Sequence, residues 1–183
     1  MNHNIYEYIT GVLWKDENFD VASYRATGVA PPDVVTIPGT TIATVAFNGT
    51  TTAEDISACK ELNHDYQEGG DIYFHVHWYP TSTAIGDVKW NIDYYITKWN
   101  KGTVASGTMS AIGTTTGVSW MPIITSFGPL ELGELAEIGS QIHFRFYRNP
   151  NDVQDTYGAN AAVATIGYHY PTNSRGSSKI SSK

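Results

Sequence analysis

Strict alternation of apolar and polar positions recurs along most of the chain. Between residues 71 and 79, Ile72, Phe74, Val76 and Trp78 alternate with Tyr73, His75, His77 and Tyr79. On a strand, one set faces a core and the other the opposite side. Pro80-Thr-Ser-Thr ends this run, and Ile85-Gly86-Asp87 turns the chain into the next. There Val88, Trp90, Ile92, Tyr94 and Ile96 alternate with Lys89, Asn91, Asp93, Tyr95 and Thr97. The two runs together predict a long antiparallel hairpin. Further strands are predicted over Thr41–Phe47, Ile56–Leu62, Thr103–Ile112, Ser119–Phe127, Gln141–Arg148 and Ala161–Tyr170, each bounded by Gly, Pro, Asn or Thr clusters. The one helical candidate, Leu130–Ile138, spaces Leu132, Leu135 and Ile138 by three but holds Gly133 in its interior, where glycine is costly. About eight short strands and almost no helix predict an all-β fold, an antiparallel β-sandwich of jelly-roll type with an extended N-terminal arm.

Three regions follow from the pattern. Residues 33–172 carry the sandwich, and residues 173–183 form a flexible tail in which Arg175, Lys179 and Lys183 are spaced by Gly and Ser. Residues 1–32 fall outside the regular alternation: an apolar stretch from Ile5 to Trp14 precedes the polar Lys15-Asp-Glu-Asn segment and Pro31-Pro32. Consecutive prolines favour an extended, stiff backbone without donors. Two readings fit this region, an arm anchored on a neighbouring chain or an edge strand with a long loop. On the arm reading Ile5, Tyr8, Ile9, Leu13 and Trp14 do the anchoring, and deleting residues 1–32 leaves the sandwich folded.

Composition narrows the partners. Charged residues make up 16% of the chain, against roughly 25% in an average soluble domain, and Thr, Ser, Asn and Gly replace them. A net charge of −7 without a Lys/Arg cluster excludes a phosphate backbone as a natural partner. No apolar run approaches the ~20 residues of a membrane-spanning helix, and the N-terminus lacks the pattern of a signal peptide. The expectation is a soluble protein, assembled in the cytoplasm, with no nucleic-acid or membrane partner. The single cysteine, Cys59, excludes an internal disulfide and is expected as a small buried hydrophobe.

Two polar strand faces do not look solvated. Tyr73, His75, His77 and Tyr79 form one, and His143, Arg145 and Tyr147, opposite Ile142, Phe144 and Phe146, form the other. Rows of Tyr, His and Arg are typical of interface cores, so a subunit interface is expected there. Cover by a loop or by the N-terminal arm of the same chain is the alternative. His75-Val-His77 places two imidazoles on one face, where His143 or a carboxylate could complete a metal set. Without a Cys, Glu-x-x-His or Asp cluster beside them, they are expected as hydrogen-bonded histidines, with no metal and no cofactor. No nucleophile elbow, phosphate loop or nucleotide fingerprint is present. Glu131, Glu134 and Glu137 read as a solvated segment, and Asp152 and Asp155 as part of a turn with an Asp–Arg contact. No catalytic residue is expected.

The run Asn63-His-Asp-Tyr-Gln-Glu-Gly-Gly-Asp-Ile-Tyr-Phe-His-Val-His-Trp78 resembles a segment of small virion structural proteins of tailed bacteriophages, in which a His-x-Tyr-x-x-Gly turn leads into a strand ending His-Val-His-Trp. Arg145-Phe-Tyr-Arg-Asn-Pro-Asn-Asp-Val-Gln-Asp-Thr-Tyr157, the closing Tyr168-His169-Tyr170 and the Gly176-Ser177 tail are similar to that family too. His64, Tyr66, Gly69, His75, His77, Trp78, Asp155 and Tyr157 match its motifs, as fold-defining or interface positions. The resemblance implies a non-enzymatic β-sandwich component of the virion, commonly a homotrimer, whose partners are other phage structural proteins such as the major capsid protein. Low charge and a Pro-containing arm favour capsid decoration or a head fibre. A tail fibre or adsorption protein that binds a host receptor or glycan is the alternative, and a depolymerase or metal hydrolase ranks third.

Overall fold

A computed structural model describes residues 12–19, 24–25 and 30–173. Among the described residues there are ten strands: β1 (Leu13–Phe19), β2 (Asp33–Thr36), β3 (Ala43–Phe47), β4 (Glu54–Glu61), β5 (Ile72–Pro80), β6 (Asp87–Lys98), β7 (Gly102–Thr114), β8 (Ile123–Leu130), β9 (Gln141–Arg148) and β10 (Ala161–Thr172). They form a six-stranded sheet in the order β2-β3-β10-β5-β8, with β1 also on β10, and a four-stranded sheet in the order β4-β9-β6-β7. All pairings are antiparallel. The fold is an all-β, jelly-roll-like sandwich.

Alternation explains the core. Ile72, Phe74, Val76 and Trp78 from one sheet face Trp90, Ile92, Ile142, Phe144 and Phe146 from the other, and all are buried. Aromatic rings bridge the layers edge-on, with centroids 5.4 Å apart for Phe47–Trp90, 5.8 Å for Trp78–Trp90 and 5.9 Å for Phe74–Phe144, the arrangement that ring quadrupoles favour.

The predicted hairpin of β5 and β6 is not formed. β5 pairs with β10 and β8, and β6 with β7 and β9, so the two strands lie in different sheets. Their connection crosses the layers and is tied to the 157–160 segment: the Tyr157 hydroxyl bonds the Ser82 backbone, and Thr81 N–H donates to Asn160 O. The hairpin is β6–β7 instead, closed through Asn100 (φ 61°) and Gly102 (φ 73°). Both positions need the left-handed backbone that Gly and Asn adopt most readily. The helical candidate reduces to a 3-10 turn, Gly133–Leu135. Gly133 takes φ 51° and Leu135 points to solvent, so the helical register breaks at the glycine.

Residues 13–19 belong to the sandwich. β1 pairs with the C-terminal half of β10, from Leu13↔Thr172 to Phe19↔Ile166, beside the short β3–β10 pairing. Phe19 enters the core against Phe74, Phe144 and Tyr168. Lys15 pairs with buried Asp65, which also accepts from the Tyr170 hydroxyl, and Lys60 pairs with Glu17. For this stretch the edge-strand reading holds, and an arm detached from the domain does not. Leu13 and Trp14 remain exposed, while Ile5, Tyr8 and Ile9 lie outside the described residues. The sequence obscured β1 because its inward positions include Lys15 and Glu17, whose charges are met by partners distant in the chain.

A buried ion pair ties the layers. The fully buried Arg148 donates through Nε and Nη2 to the two Asp155 oxygens at 2.9 and 2.7 Å, through Nη1 to Ala159 O at 2.8 Å and Phe47 O at 3.4 Å, and through Nη2 to Tyr157 O. Asp155 also accepts from Lys89 N–H at 3.1 Å. This is the Asp–Arg contact expected of the 148–157 turn.

Two predictions follow from the packing. Asp155→Ala strands a guanidinium in the core and should cost about 3–5 kcal/mol, measured as a lower urea midpoint at unchanged slope. Deleting residues 1–32 removes Phe19 and one sheet edge together. The truncated chain should lose its cooperative melt, with Phe19→Ala alone costing about 3–5 kcal/mol.

Candidate functional site

The polar faces singled out in the sequence lie on opposite outer sides of the sandwich, because β5 and β9 belong to different sheets. His143 therefore cannot join His75 and His77 in one metal set.

On the six-stranded sheet, Tyr73, His77 and Tyr79 are half-buried, and the single chain already buries His75, which is 2% exposed. Trp14 of β1 packs edge-on against Tyr73 at 5.4 Å, and Trp120 lies 5.8 Å from Tyr79. The His75 ring stacks on His169 at 4.6 Å and meets His77 edge-on at 5.1 Å. His75 is opposite Gly167 in the register, and a Cβ at 167 would stand 2.8 Å from His75 Nε2 and 2.6 Å from Asn18 Oδ1. The missing side chain leaves space for the imidazole. Neither ring nitrogen of His75 has a hydrogen-bond partner. Burial pushes its pKa below the ordinary value, although Asp16 pulls the other way, so the ring is neutral near pH 7. Asp16 Oδ1 stands 3.6 Å from His75 Nε2. One ligand atom each of Asp16, His75 and His169 lies within 4.8 Å of the others, the only such group of three possible metal ligands among the described residues. Sequence reading missed Asp16 and His169. His169 stood in the alternation of Tyr168-His-Tyr170, but only pairing with β1 and β5 brings the three together.

On the four-stranded sheet, a groove of about 1080 Å³ crosses the strands, lined by Cys59, Asp93, Tyr95, Ser106, His143 and Arg145 among others. Arg145 donates from Nε and Nη2 to Asp55 Oδ2 at 3.1 and 2.9 Å and from Nη1 to Asp93 Oδ2 at 3.2 Å, with its guanidinium 4.4 Å from the Tyr147 ring centroid. Burial works against that charge, but the two aspartates outweigh it and raise the pKa. Arg145 is thus spent within the chain. His143 Nε2 lies 3.1 Å from Thr97 Oγ1 and 3.8 Å from Cys59 Sγ. Cys59 is exposed on this face, against the expectation of a buried thiol. Ile56 and Ala58 take the core side of β4, so strand parity turns Cys59 outward. Partial burial raises its thiol pKa from 9.0, which keeps it protonated at neutral pH and argues against a nucleophile.

Three of the carboxylates singled out in the sequence are held in ion pairs. Asp155 holds Arg148, Asp152 pairs with Lys89 at 2.8 Å, and Glu137 pairs with Lys98 and Lys101.

No family model and no curated protein matches the chain. Among solved structures it is similar to an arabinose-bound α-L-arabinofuranosidase, with 10% identity, a TM-score of 0.45, 82% of this chain covered and 23% of that one. It is also similar to the carbohydrate-binding and catalytic modules of a Clostridium thermocellum endo-1,4-β-D-xylanase complexed with xylohexaose, with 11% identity, a TM-score of 0.45, 86% of this chain covered and 28% of that one. A mannan-recognising carbohydrate-binding module gives 9% identity, a TM-score of 0.42, and coverage of 87% of this chain and 99% of that one. The chain thus spans about a quarter of the first two proteins. Likeness this weak says nothing about what the chain binds or does.

The exposed thiol yields a direct check. Ellman's reagent should label Cys59 in the native protein without denaturant, at a rate that climbs as pH rises toward and past 9.0. Labelling only after unfolding would mean that this groove is covered in solution.

Proposed function

We propose that this chain is a non-enzymatic structural protein of a tailed-phage virion, a capsid decoration or head-fibre component that acts as a homotrimer. The observation that carries the reading is the apolar surface left on the folded chain. Ile85 is 78% exposed, Trp99 76% and Ile124 62%, with Trp14, Val118 and Met121 also exposed. Ile85 lies beside the 117–118 turn, where a Cβ on Gly117 would touch it at 3.6 Å. Exposed apolar area costs ~25 cal/mol per Å², so these side chains are the ones a neighbouring chain would cover. A chain with only 16% charged residues and large exposed apolar side chains suits a protein held among neighbours. The resemblance of residues 63–78 to a segment of phage virion proteins supports the setting, and Glu137, Asp152, Asp155 and Arg145 are held in internal pairs.

The groove over the four-stranded sheet favours one second reading, an adsorption protein that takes a host glycan. Tyr95, 56% exposed, offers an aromatic face there beside polar Ser106 and Asp93.

Two measurements separate these readings. Light scattering on gel-filtered protein should give a trimer, and the protein should bind capsids that lack it. A monomer that ignores such capsids but binds host-surface glycan, and loses that binding on Tyr95→Ala, would overturn decoration in favour of adsorption.

A further inference from the structure

We infer that Asp16, His75 and His169 form a binding site for a divalent transition-metal ion that clasps β1 to β10 and β5. The inference is independent of the virion reading. Three adjacent strands supply the ligands on the outer face of the six-stranded sheet. Asp16 and His169 are directly paired in register, and His75 lies opposite Gly167, two residues before His169.

His75 makes the strongest case. It is a buried imidazole with both nitrogens unpartnered, and leaving a buried polar group unsatisfied is destabilising. The protein keeps it nonetheless, in a space that any side chain at position 167 would fill. An ion between His75, His169 and Asp16 satisfies it. A zinc ion ~2.0–2.2 Å from nitrogen and oxygen donors holds them roughly 3.3 Å apart. The His75–Asp16 separation of 3.6 Å already lies near that value, and the whole set is within 4.8 Å, so small side-chain rotations close it.

The donor chemistry selects the class of ion. Two imidazoles and one carboxylate suit zinc and its first-row neighbours, whereas calcium and magnesium prefer all-oxygen sets. Asp16 and His169 are exposed, so ions enter from solvent and at least one coordination position stays open. The His77 ring, 5.1 Å from His75, adds a third imidazole at the rim. The effect falls on β1, an edge strand whose position sets the packing of Phe19.

The test uses the full-length, untagged chain stripped with chelator and titrated with zinc chloride in a calorimeter. One zinc per chain should bind, the melting temperature should rise, and amide exchange across Leu13–Phe19 should slow. Asp16→Asn and His169→Gln, both at exposed positions, should fold and weaken zinc binding by at least the roughly tenfold that outer-shell changes alone cause. A variant carrying His3→Gln, His64→Gln and His143→Gln should bind as the natural chain does. The inference fails if zinc does not bind, if the three-histidine variant loses binding, or if Asp16→Asn and His169→Gln retain it. It fails equally if exchange in β1 is unchanged with zinc bound.

Discussion

The pairing of Arg148 with Asp155 is the constraint on which the sandwich turns. A guanidinium without solvent contact is tolerable only when its donors are all met, and here one carboxylate and three backbone carbonyls meet them. Those acceptors come from the end of β3 and from the loop between β9 and β10, while Asp155 also accepts from Lys89 at the start of β6. One residue thus fixes strands of both sheets and the long loop between them. The hydrophobic layers would stack in many offsets. The geometry of the fork allows one, and Phe47, Trp90 and Phe146 interlock above it.

The opposite end of the molecule is closed by a different device. β10 shares one edge between β3 and β1, and among the described residues β1 has no second strand neighbour. Lys15, Asp65, Tyr170, Glu17, Lys60 and Asn63 form a network below it. Burial alone would raise the Asp65 pKa, but hydrogen bonds from Lys15 and Tyr170 prevail and lower it. The folded carboxyl therefore releases its proton more readily than the unfolded one. That contribution is complete above 3.8 and is lost as pH falls through the depressed folded-state value. On the other face of the same strand, Asp16 stands beside His75 and His169.

The two outer faces do different things with similar residues. On the four-stranded sheet, Arg145, Asp55, Asp93 and Tyr147 satisfy one another, leaving a groove in which Tyr95, Cys59, Ser106 and Thr108 are among the exposed side chains. On the six-stranded sheet, His75 is left unsatisfied under a cover of its own neighbours. The charges of the first face are paired within the chain, whereas on the second the buried, unpartnered His75 has the exposed Asp16 and His169 beside it. The large apolar side chains at the sheet margins are the surface best suited to other proteins.

Much of the fold was legible in residue order. Alternation predicted which side chains of β5, β6 and β9 face inward, and the turn-forming Asn149-Pro150-Asn151-Asp152 segment with Arg148 nearby predicted the Asp155 contact. Strand parity around Ile56 and Ala58 would also have turned Cys59 outward, had it been preferred to the general habit of free cysteines. What alternation cannot specify is the partner, because it is a property of one strand and pairing is a property of two. The assignment of β5 and β6 to different sheets depends on Tyr157 and Asn160, some 75 residues further on. The place of β1 depends on a lysine and a glutamate meeting partners across the chain. Asp16, His75 and His169 lie far apart in sequence and share a face only once β1, β10 and β5 are adjacent. Sequence by itself determined the all-β class and the two polar faces. The tertiary structure alone decided which groups meet on them, since that rests on contacts between strands that no local pattern encodes.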